Sequence, residues 1–211
     1  MAFVVKVGGS LTKSKKVFDK VVNTLIEASV YHDFAIVVGG GELADAVRQL
    51  DKRLSLGEQL SHEMALHAMD AMALMLARQS KKFKLVDVED AKKIRNKIPV
   101  LQTAGYILKS DMDASWDNTS DSVAAYAAGK LDAKELILLK DVDGVLHKKT
   151  LQQQLSVKEL KALGETCVDR NLHKYLRGNK LRCIILNGRK PERLRNYMRG
   201  GVVYGTVVDC I

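Results

Sequence analysis

Apolar runs that end in glycine or aspartate recur along the chain and predict buried β-strands. The runs at 2–7, 34–38 and 135–140 are almost uninterrupted, as expected for strands covered on both faces of a parallel sheet. Shorter runs predict further strands at 83–86, 98–101, 183–186 and 204–208. Because proline cannot donate to a ladder, Pro99 places its strand at a sheet edge or at a strand start.

Between these runs, apolar residues recur at the three- and four-residue spacing of helices. The pattern predicts helices over 17–26, 44–54, 59–79, 122–128, 151–163 and 169–176, and a short one opened by Pro191. The 59–79 helix carries a wide stripe rich in methionine and alanine, which we interpret as core packing or a subunit contact rather than a ligand site.

Strands and helices alternate along the 211 residues, without an internal repeat or an obvious linker. This order predicts an α/β fold in which helices cover both faces of a mostly parallel central sheet. The length suits one domain over 1–211, with a core large enough to fold without disulfides.

The composition is that of an ordinary globular protein, with 46% hydrophobic and 28% charged residues. No apolar run approaches the ~20 residues that span a bilayer, and the N-terminus lacks the basic leader of a signal peptide. The three cysteines have no paired spacing, so neither a disulfide framework nor a zinc site is indicated. We therefore expect a cytoplasmic protein without a membrane partner.

The net charge of +9 is concentrated late in the chain, where nine lysines and arginines between 171 and 200 meet a single acid, Glu192. Nucleic acid, an acidic membrane surface, a phosphorylated ligand or a solvated basic face each accounts for such a field. Only Tyr175 and Tyr197 are interleaved with these charges, which argues against a platform for stacking single-stranded nucleic acid.

Two predicted strands end in glycine runs, Gly8–Gly9 and Gly39–Gly40–Gly41, and each run opens a helix. Ligands of parallel sheets bind beyond the carboxyl ends of the strands, where glycine allows close approach and helix amides donate to anions. Together the two runs predict a site for a phosphate chain. Neither GxxxxGK[ST] nor GxGxxG is present, so the P-loop and dinucleotide signatures are excluded.

Charged side chains stand close to these predicted strand ends. Lys6 interrupts the first apolar strand, where an ammonium group is costly unless it meets an anion, so we interpret it as a phosphate ligand rather than a solvent-facing edge lysine. A polar cluster at 117–122 precedes an alanine-rich helix and exceeds what helix capping requires. Its acidic residues are candidates for holding lysine ammonium groups or Mg²⁺.

Asp141 and Asp143 directly follow the strand at 135–140 and precede Gly144. They form either an Asx-type turn or a loop that borders a nucleotide or a metal. The histidines have no zinc-protease spacing, and GxSxG and catalytic-cysteine motifs are missing, which excludes those hydrolase classes.

Five segments resemble the amino acid kinase family, which includes kinases of acetylglutamate, aspartate, carbamate, uridylate and isopentenyl phosphate. They are KVGGSL (6–11), VVGGGE (37–42), NTSDSVAAYAA (118–128), LLKDVDGV (138–145) and GVVYGTVV (201–208). The segments follow the family order and span almost the whole chain. The resemblance implies a three-layer αβα sandwich over 1–211, and a kinase that uses ATP with Mg²⁺.

The resemblance also implies roles by position. Lys6 and the loop of Gly8, Gly9 and Ser10 would hold the ATP phosphates, while Asp121 would organise two catalytic lysines, Lys6 and Lys174. The residues that would border the nucleotide are Lys140, Asp141, Asp143, Gly144 and Val145. Those on the acceptor side are Gly39, Gly40, Gly41, Arg48, Trp116, Asp117, Thr119 and Ser120. No side chain is assigned as a metal ligand, and Asp117 stands where acetylglutamate kinases carry an asparagine.

Within the family, the strings at 61–70, 115–128 and 185–194 are most similar to kinases of methanofuran biosynthesis. These phosphorylate [5-(aminomethyl)furan-3-yl]methyl phosphate to the diphosphate. A phosphate monoester is already an anionic nucleophile, so in-line transfer of the γ-phosphoryl group needs no general base.

The alternatives are a kinase of UMP, AMP or isopentenyl phosphate, and a non-catalytic protein that binds nucleotides or nucleic acid. We expect a small phosphorylated partner and a homo-oligomer, and disfavour nucleic acid.

Overall fold

The computed structural model describes residues 1–210 and has one eight-stranded sheet with helices on both faces. The strands are β1 Phe3–Val7, β2 Phe34–Val38, β3 Phe83–Asp87, β4 Ile98–Gln102, β5 Glu135–Lys140, β6 Leu146–His147, β7 Thr150–Leu151, β8 Gln154–Ser156, β9 Arg182–Asn187 and β10 Gly205–Asp209. The α-helices are α1 Lys15–Ala28, α2 Gly41–Leu54, α3 Glu58–Ala77, α4 Ala104–Ile107, α5 Ser120–Lys130, α6 Val157–Leu163, α7 Leu172–Gly178 and α8 Glu192–Met198. Two 3₁₀ helices span Gly9–Lys13 and Val88–Lys93.

The strand order in the sheet is β3-β4-β2-β1-β5-β9-β10-β8, and β6 pairs only with β7. All pairs in the large sheet are parallel except β9 with β10. This confirms the prediction of a mostly parallel sheet in an αβα arrangement. Since β1 lies between β2 and β5, the carboxyl ends of these three strands meet at one edge of the sheet.

Two apolar cores lie on opposite faces of the sheet. Alternate residues of β1 enter different cores: Val4 packs with α5, α6 and α7, whereas Val5 packs with α1 and α8. The long helix α3 contributes to both, through Leu66 on one side and Leu76 on the other. Burial on both faces explains why the central strands are apolar at nearly every position.

The structure corrects the predicted helix at 151–163. Residues 154–156 form β8 beside β10, and the helix begins only at Val157. Ser156 caps it in a reciprocal capping box with Glu159, so the chain turns from strand to helix at this residue. The preceding glutamines carry no periodic signal that separates strand from helix.

Two other predictions are confirmed only in part. Pro99 is the second residue of β4, as expected for a strand start, but β4 lies between β3 and β2 and is not an edge strand. On α3, Met72 is in the core, whereas Leu60 and Leu74 are exposed. None of the helices within residues 1–210 is long and apolar enough to cross a membrane.

Candidate active site

Lys6, Asp121 and Lys140 form a charged cluster at the carboxyl edge of the sheet. The Nζ atom of Lys6 lies 2.9 Å from Oδ1 of Asp121, and Lys140 binds the other oxygen, Oδ2. These residues come from β1, the first turn of α5 and the last position of β5. Because β1 is central and Lys6 is buried, the edge-lysine interpretation is wrong.

Burial and charge act in opposite directions within this cluster. Burial by itself would raise the pKa of Asp121, but the Lys140 and Lys6 ammonium groups outweigh it and hold that pKa well below its usual range. Burial lowers the pKa of Lys6, with Asp121 opposing and Lys140 adding to the decrease. For Lys140, Asp121 overcomes the effect of burial and raises the pKa. Asp121 therefore stays ionised, and Lys140 is held as an ammonium group.

Asp169 fixes the start of α5, which carries Asp121. Its Oδ2 accepts hydrogen bonds from the backbone N–H groups of Thr119, Asp121 and Ser122 at 2.9, 3.0 and 2.8 Å. Its Oδ1 accepts from the Thr119 hydroxyl. Desolvation, followed by the charge of Asp121, raises the pKa of Asp169. A side chain far along the chain thus satisfies amides that a local N-cap usually serves.

The two glycine runs lie against each other. A Cβ atom on Gly9 would be 2.3 Å from the backbone nitrogen of Gly41, so no larger residue fits at this contact. Gly41 itself has φ +55°, a left-handed conformation that glycine adopts without strain. On the other side, a Cβ on Gly39 would be 3.3 Å from Cε of Lys6. The second glycine run therefore lies directly beside the lysine cluster.

A cavity of about 200 Å³ opens next to these glycines. Its lining is made by residues of the first 3₁₀ helix, the loop before α2, α2, α3, the segment before α5 and the start of α5: Gly9, Ser10, Lys13, Gly39, Gly40, Gly41, Ala44, Asp45, Arg48, His62, Ala65, Leu66, Met69, Trp116, Asn118, Thr119, Ser120 and Val123. The lining therefore combines apolar side chains with two cations, one carboxylate, and hydroxyl and amide groups.

Arg48 and Trp116 stand together in this lining. The Arg48 guanidinium lies 4.6 Å from the centroid of the Trp116 ring and 3.1 Å from Oδ1 of Asp45. The indole N–H of Trp116 donates to Asp51 at 3.2 Å. Stacking and ion pairing thus orient the guanidinium, which retains further donors for an anion.

The loop after β5 is tied to the chain after β9. Asp143 accepts hydrogen bonds from Asn187 at 2.7 Å and Lys190 at 3.1 Å, and its Oδ1 lies 3.0 Å from Arg193. Hydrogen bonds from Asn187 and Lys190, together with the nearby cations, lower the pKa of Asp143. The carboxylate of Asp143 thus reaches across the sheet edge, which a local Asx-type turn does not require.

Several residues predicted for the site are brought together. Lys6, Asp121 and Lys140 meet directly, and Gly8, which begins the first loop, donates its N–H to Leu139 at 2.9 Å. The acceptor-side residues Gly39, Gly40, Gly41, Arg48, Trp116, Thr119 and Ser120 all line the cavity. Ser10, predicted on the ATP side, lines the same cavity. The backbone of Val145 beside Gly144 donates to Thr206 at 2.9 Å.

Two predicted residues lie elsewhere. The structure places Lys140, and not Lys174, against Asp121, because α7 packs through Leu172 and Leu176 and turns Lys174 to solvent. Asp117 is outside the cavity lining and lies 3.9 Å from Arg170.

Sequence reasoning missed Asp169 and His62. Asp169 has no local signal, because its partners lie 47–50 positions away. His62 gave no functional signal because His67 follows it by five residues rather than the four of the zinc-protease motif, yet its burial at the cavity wall on α3 follows from the helical period.

Comparisons with known proteins identify the family of this chain. The sequence pattern of the amino acid kinase family matches residues 1–187. A [5-(aminomethyl)furan-3-yl]methyl phosphate kinase of Methanocaldococcus jannaschii is 32% identical over 203 residues, which cover 93% of this chain and 93% of that protein. A uridylate kinase of the same organism is 30% identical over 200 residues, which cover 84% of this chain and 83% of that protein.

Solved structures share the fold at lower identity. The uridylate kinase of Archaeoglobus fulgidus has a TM-score of 0.79 at 22% identity and covers 99% of this chain and 100% of its own. The UMP kinase of Bacillus anthracis has a TM-score of 0.78 at 16% identity, with 98% and 95% covered. The family matches most of the sequence, and the similar proteins with known names are kinases that share the fold. This chain therefore belongs to the amino acid kinase family and is a phosphotransferase.

Proposed function

We propose that this kinase transfers the γ-phosphoryl group of ATP to [5-(aminomethyl)furan-3-yl]methyl phosphate, forming the diphosphate and ADP. The observation that carries the proposal is the position of the Lys6–Asp121–Lys140 cluster beside a small cavity that also presents Arg48. The 32% identical relative carries the corresponding name.

In this mechanism an oxygen of the acceptor phosphate attacks the γ-phosphorus, and the bond from that phosphorus to the β-phosphate oxygen of ADP breaks. Lys6 and Lys140 neutralise charge on the transferring group, and the amide of Gly9 donates to the ATP phosphates, because the Gly8 N–H is already bonded to the Leu139 carbonyl. Asp121 orients both lysines, and burial of Lys6 favours the arrival of an anion. The acceptor oxygen is already anionic, so no base is assigned.

Mg²⁺ fits this site as a companion of the ATP phosphates. Among residues 1–210, no cluster of three or more His, Cys, Asp or Glu side chains is placed to hold a metal ion. Magnesium usually keeps several waters and binds through substrate phosphates with one or two carboxylates. When bound, it would neutralise negative charge on the phosphate groups. Asp141 and Asp143, in the loop on the proposed nucleotide side, are the residues that would hold it; Asp141 lies 3.8 Å from Arg189, and Asp143 accepts from Lys190.

The cavity suits a compact acceptor. Its volume of about 200 Å³ lies below the roughly 300–1,000 Å³ typical of ligand pockets. Ala65, Leu66, Met69 and Val123 offer an apolar wall to a five-membered ring, while Arg48 is placed as a clamp for the acceptor phosphate. These features favour a furan over the larger nucleoside of UMP.

UMP is the second candidate acceptor. Uridylate kinases are among the relatives and share the fold. AMP and isopentenyl phosphate are the other phosphate acceptors considered from the sequence.

ADP release from Mg·ATP with each purified acceptor tests the proposal. We expect turnover with the furan phosphate to exceed that with UMP, AMP and isopentenyl phosphate by about 10²-fold or more in kcat/KM. Arg48→Ala is expected to raise the KM for the furan phosphate and to leave the KM for ATP unchanged. Preferred turnover of UMP would reject the furan acceptor while retaining the phosphoryl-transfer mechanism.

We also propose a cytoplasmic homo-oligomer. Leu54, Leu60 and Leu74 of α2 and α3 are 58%, 46% and 44% exposed, which marks these helices as a contact surface for a second copy. Sedimentation of the purified protein measures the assembly.

A further inference from the structure

Asn118, a buried residue in the cavity lining, has a side-chain oxygen without a hydrogen-bond partner among residues 1–210. Asn118 is 1% exposed, and its Nδ2 donates to the carbonyl oxygen of Asp113 at 2.9 Å. That carbonyl can only accept, so the amide orientation is fixed and Oδ1 points away from it. Oδ1 has no hydrogen-bond partner within the described chain. A buried acceptor left in this state is costly unless a ligand donates to it.

His62 presents a second acceptor beside Asn118. Its Nε2 lies 3.1 Å from the backbone carbonyl oxygen of Asn118. A carbonyl oxygen can only accept, so Nε2 carries the proton. Burial lowers the pKa of His62, although the hydrogen bond to Asn118 opposes this. The neutral ring therefore keeps its lone pair on Nδ1. Both residues line the cavity.

The polar side chains that line the cavity thus form two chemically different sets. Lys13 and Arg48 supply cations, and the single carboxylate in the lining, Asp45, is already paired with them at 3.7 and 3.1 Å. Asn118 and His62 supply acceptors only. An acceptor substrate that meets both sets carries an anion and a hydrogen-bond donor.

We infer that Asn118 Oδ1 and His62 Nδ1 recognise the amino group of the substrate and make the enzyme selective for aminomethyl over alkyl furan phosphates. The inference rests on the proposed function and adds the residues that set its specificity. The ammonium group donates to both acceptors, while the phosphate faces Arg48 and the lysine cluster. An analogue without the amino group leaves both acceptors unpaired, which lowers its transition-state binding.

The test compares [5-(aminomethyl)furan-3-yl]methyl phosphate with (5-ethylfuran-3-yl)methyl phosphate, in which a methyl group replaces the ammonium. With the wild-type protein, kcat/KM for the amine should exceed that for the ethyl analogue by about 10²-fold or more. In His62→Leu and Asn118→Leu this preference should fall by roughly tenfold each, while the KM for ATP stays constant. His67→Leu, an exposed change on the same helix, is the control and should keep the wild-type ratio.

The outcomes separate the two claims. Turnover of both furan phosphates within about threefold of each other by the wild-type protein would overturn the inference and leave the proposed function standing. An unchanged preference in folded His62→Leu would also overturn it. If neither furan phosphate supports ADP release while UMP does, the proposed function fails, and the inference fails with it. The wild-type comparison needs no variant to fold.

Discussion

At the scale of single residues, one carboxylate organises two ammonium groups from different strands. Asp121 binds Lys6 of β1 through one oxygen and Lys140 of β5 through the other. The cluster depends on the parallel register, because Lys6 is paired with Leu138, two residues before Lys140. Each ammonium group thereby reaches the sheet edge next to the glycine loops.

Replacing Lys140 tests its role in catalysis. Lys140→Met should lower kcat by about 10²- to 10³-fold, because one donor to the transferring phosphoryl group is lost. Lys174→Met is the matched control, since this exposed lysine lies on α7 away from Asp121. Steady-state kinetics of both variants measure the difference. A greater loss of kcat in Lys174→Met would return the second catalytic lysine to α7.

The sequence predicted these residues unequally. Lys6 was recognisable because a charge within an apolar strand requires an anion. Lys140 was predicted beside the nucleotide, but its contact with Asp121 depends on how two separate elements pack. Asp169 carried no signal, because its hydrogen bonds join parts of the chain that only the tertiary fold brings together.

At the scale of elements, the glycine runs join the ends of β1 and β2. Gly9 and Gly41 are in backbone contact, and the second run lies beside Lys6. The strands and most helices around this junction were predicted from periodicity, since their apolar positions face the two cores. The strand within the 151–163 segment was not predicted, because β8 is defined by its pairing with β10 rather than by a hydrophobic pattern of its own.

A methyl group at Gly9 should disrupt this junction. Gly9→Ala is expected to lower the free energy of unfolding by roughly 1–3 kcal/mol and to reduce kcat, because its Cβ would overlap the Gly41 backbone. Gly178→Ala is the control: its Cβ meets nothing within 4 Å, and the change should stabilise α7 by roughly 0.5–1 kcal/mol. Urea unfolding and ADP release measure both effects. Wild-type stability in Gly9→Ala would show that the loops can separate without cost.

At the scale of the whole molecule, the late basic residues are dispersed among acids. Arg182 pairs with Glu135 and Asp209, Arg195 with Glu27, and Lys190 with Asp143. Several charges of the basic segment at 171–200 are therefore neutralised in ion pairs with acids from other parts of the chain.

Acid should destabilise the protein through its paired carboxylates. The pKa of folded Asp121 is lowered, so below about pH 4 the unfolded chain binds a proton that the folded protein does not. The free energy of unfolding should therefore be fully retained above that pH and fall as pH decreases further. Urea unfolding from about pH 6 to about pH 3, a range that spans the usual aspartate pKa, measures the slope.

Asp121→Asn separates this residue from the other carboxylates. It should be less stable than wild type at neutral pH by about 3–5 kcal/mol, because it leaves buried ammonium groups without their anion. Its stability should then decline less steeply in acid. An identical acid slope in the two proteins would assign the effect to other groups, such as Asp143, whose pKa is also lowered.

The long-range cap on α5 also bears on protein synthesis. During translation Lys6 is synthesised first, followed by the glycine runs, Asp121 and Lys140. Asp169, which accepts hydrogen bonds from the amides at the start of α5, is added only later. A nascent chain that ends before Asp169 has all three charged residues but lacks the side chain that anchors the helix carrying Asp121. Truncated translation products therefore lack a completed site, and we expect enzyme activity only after most of the polypeptide has been made.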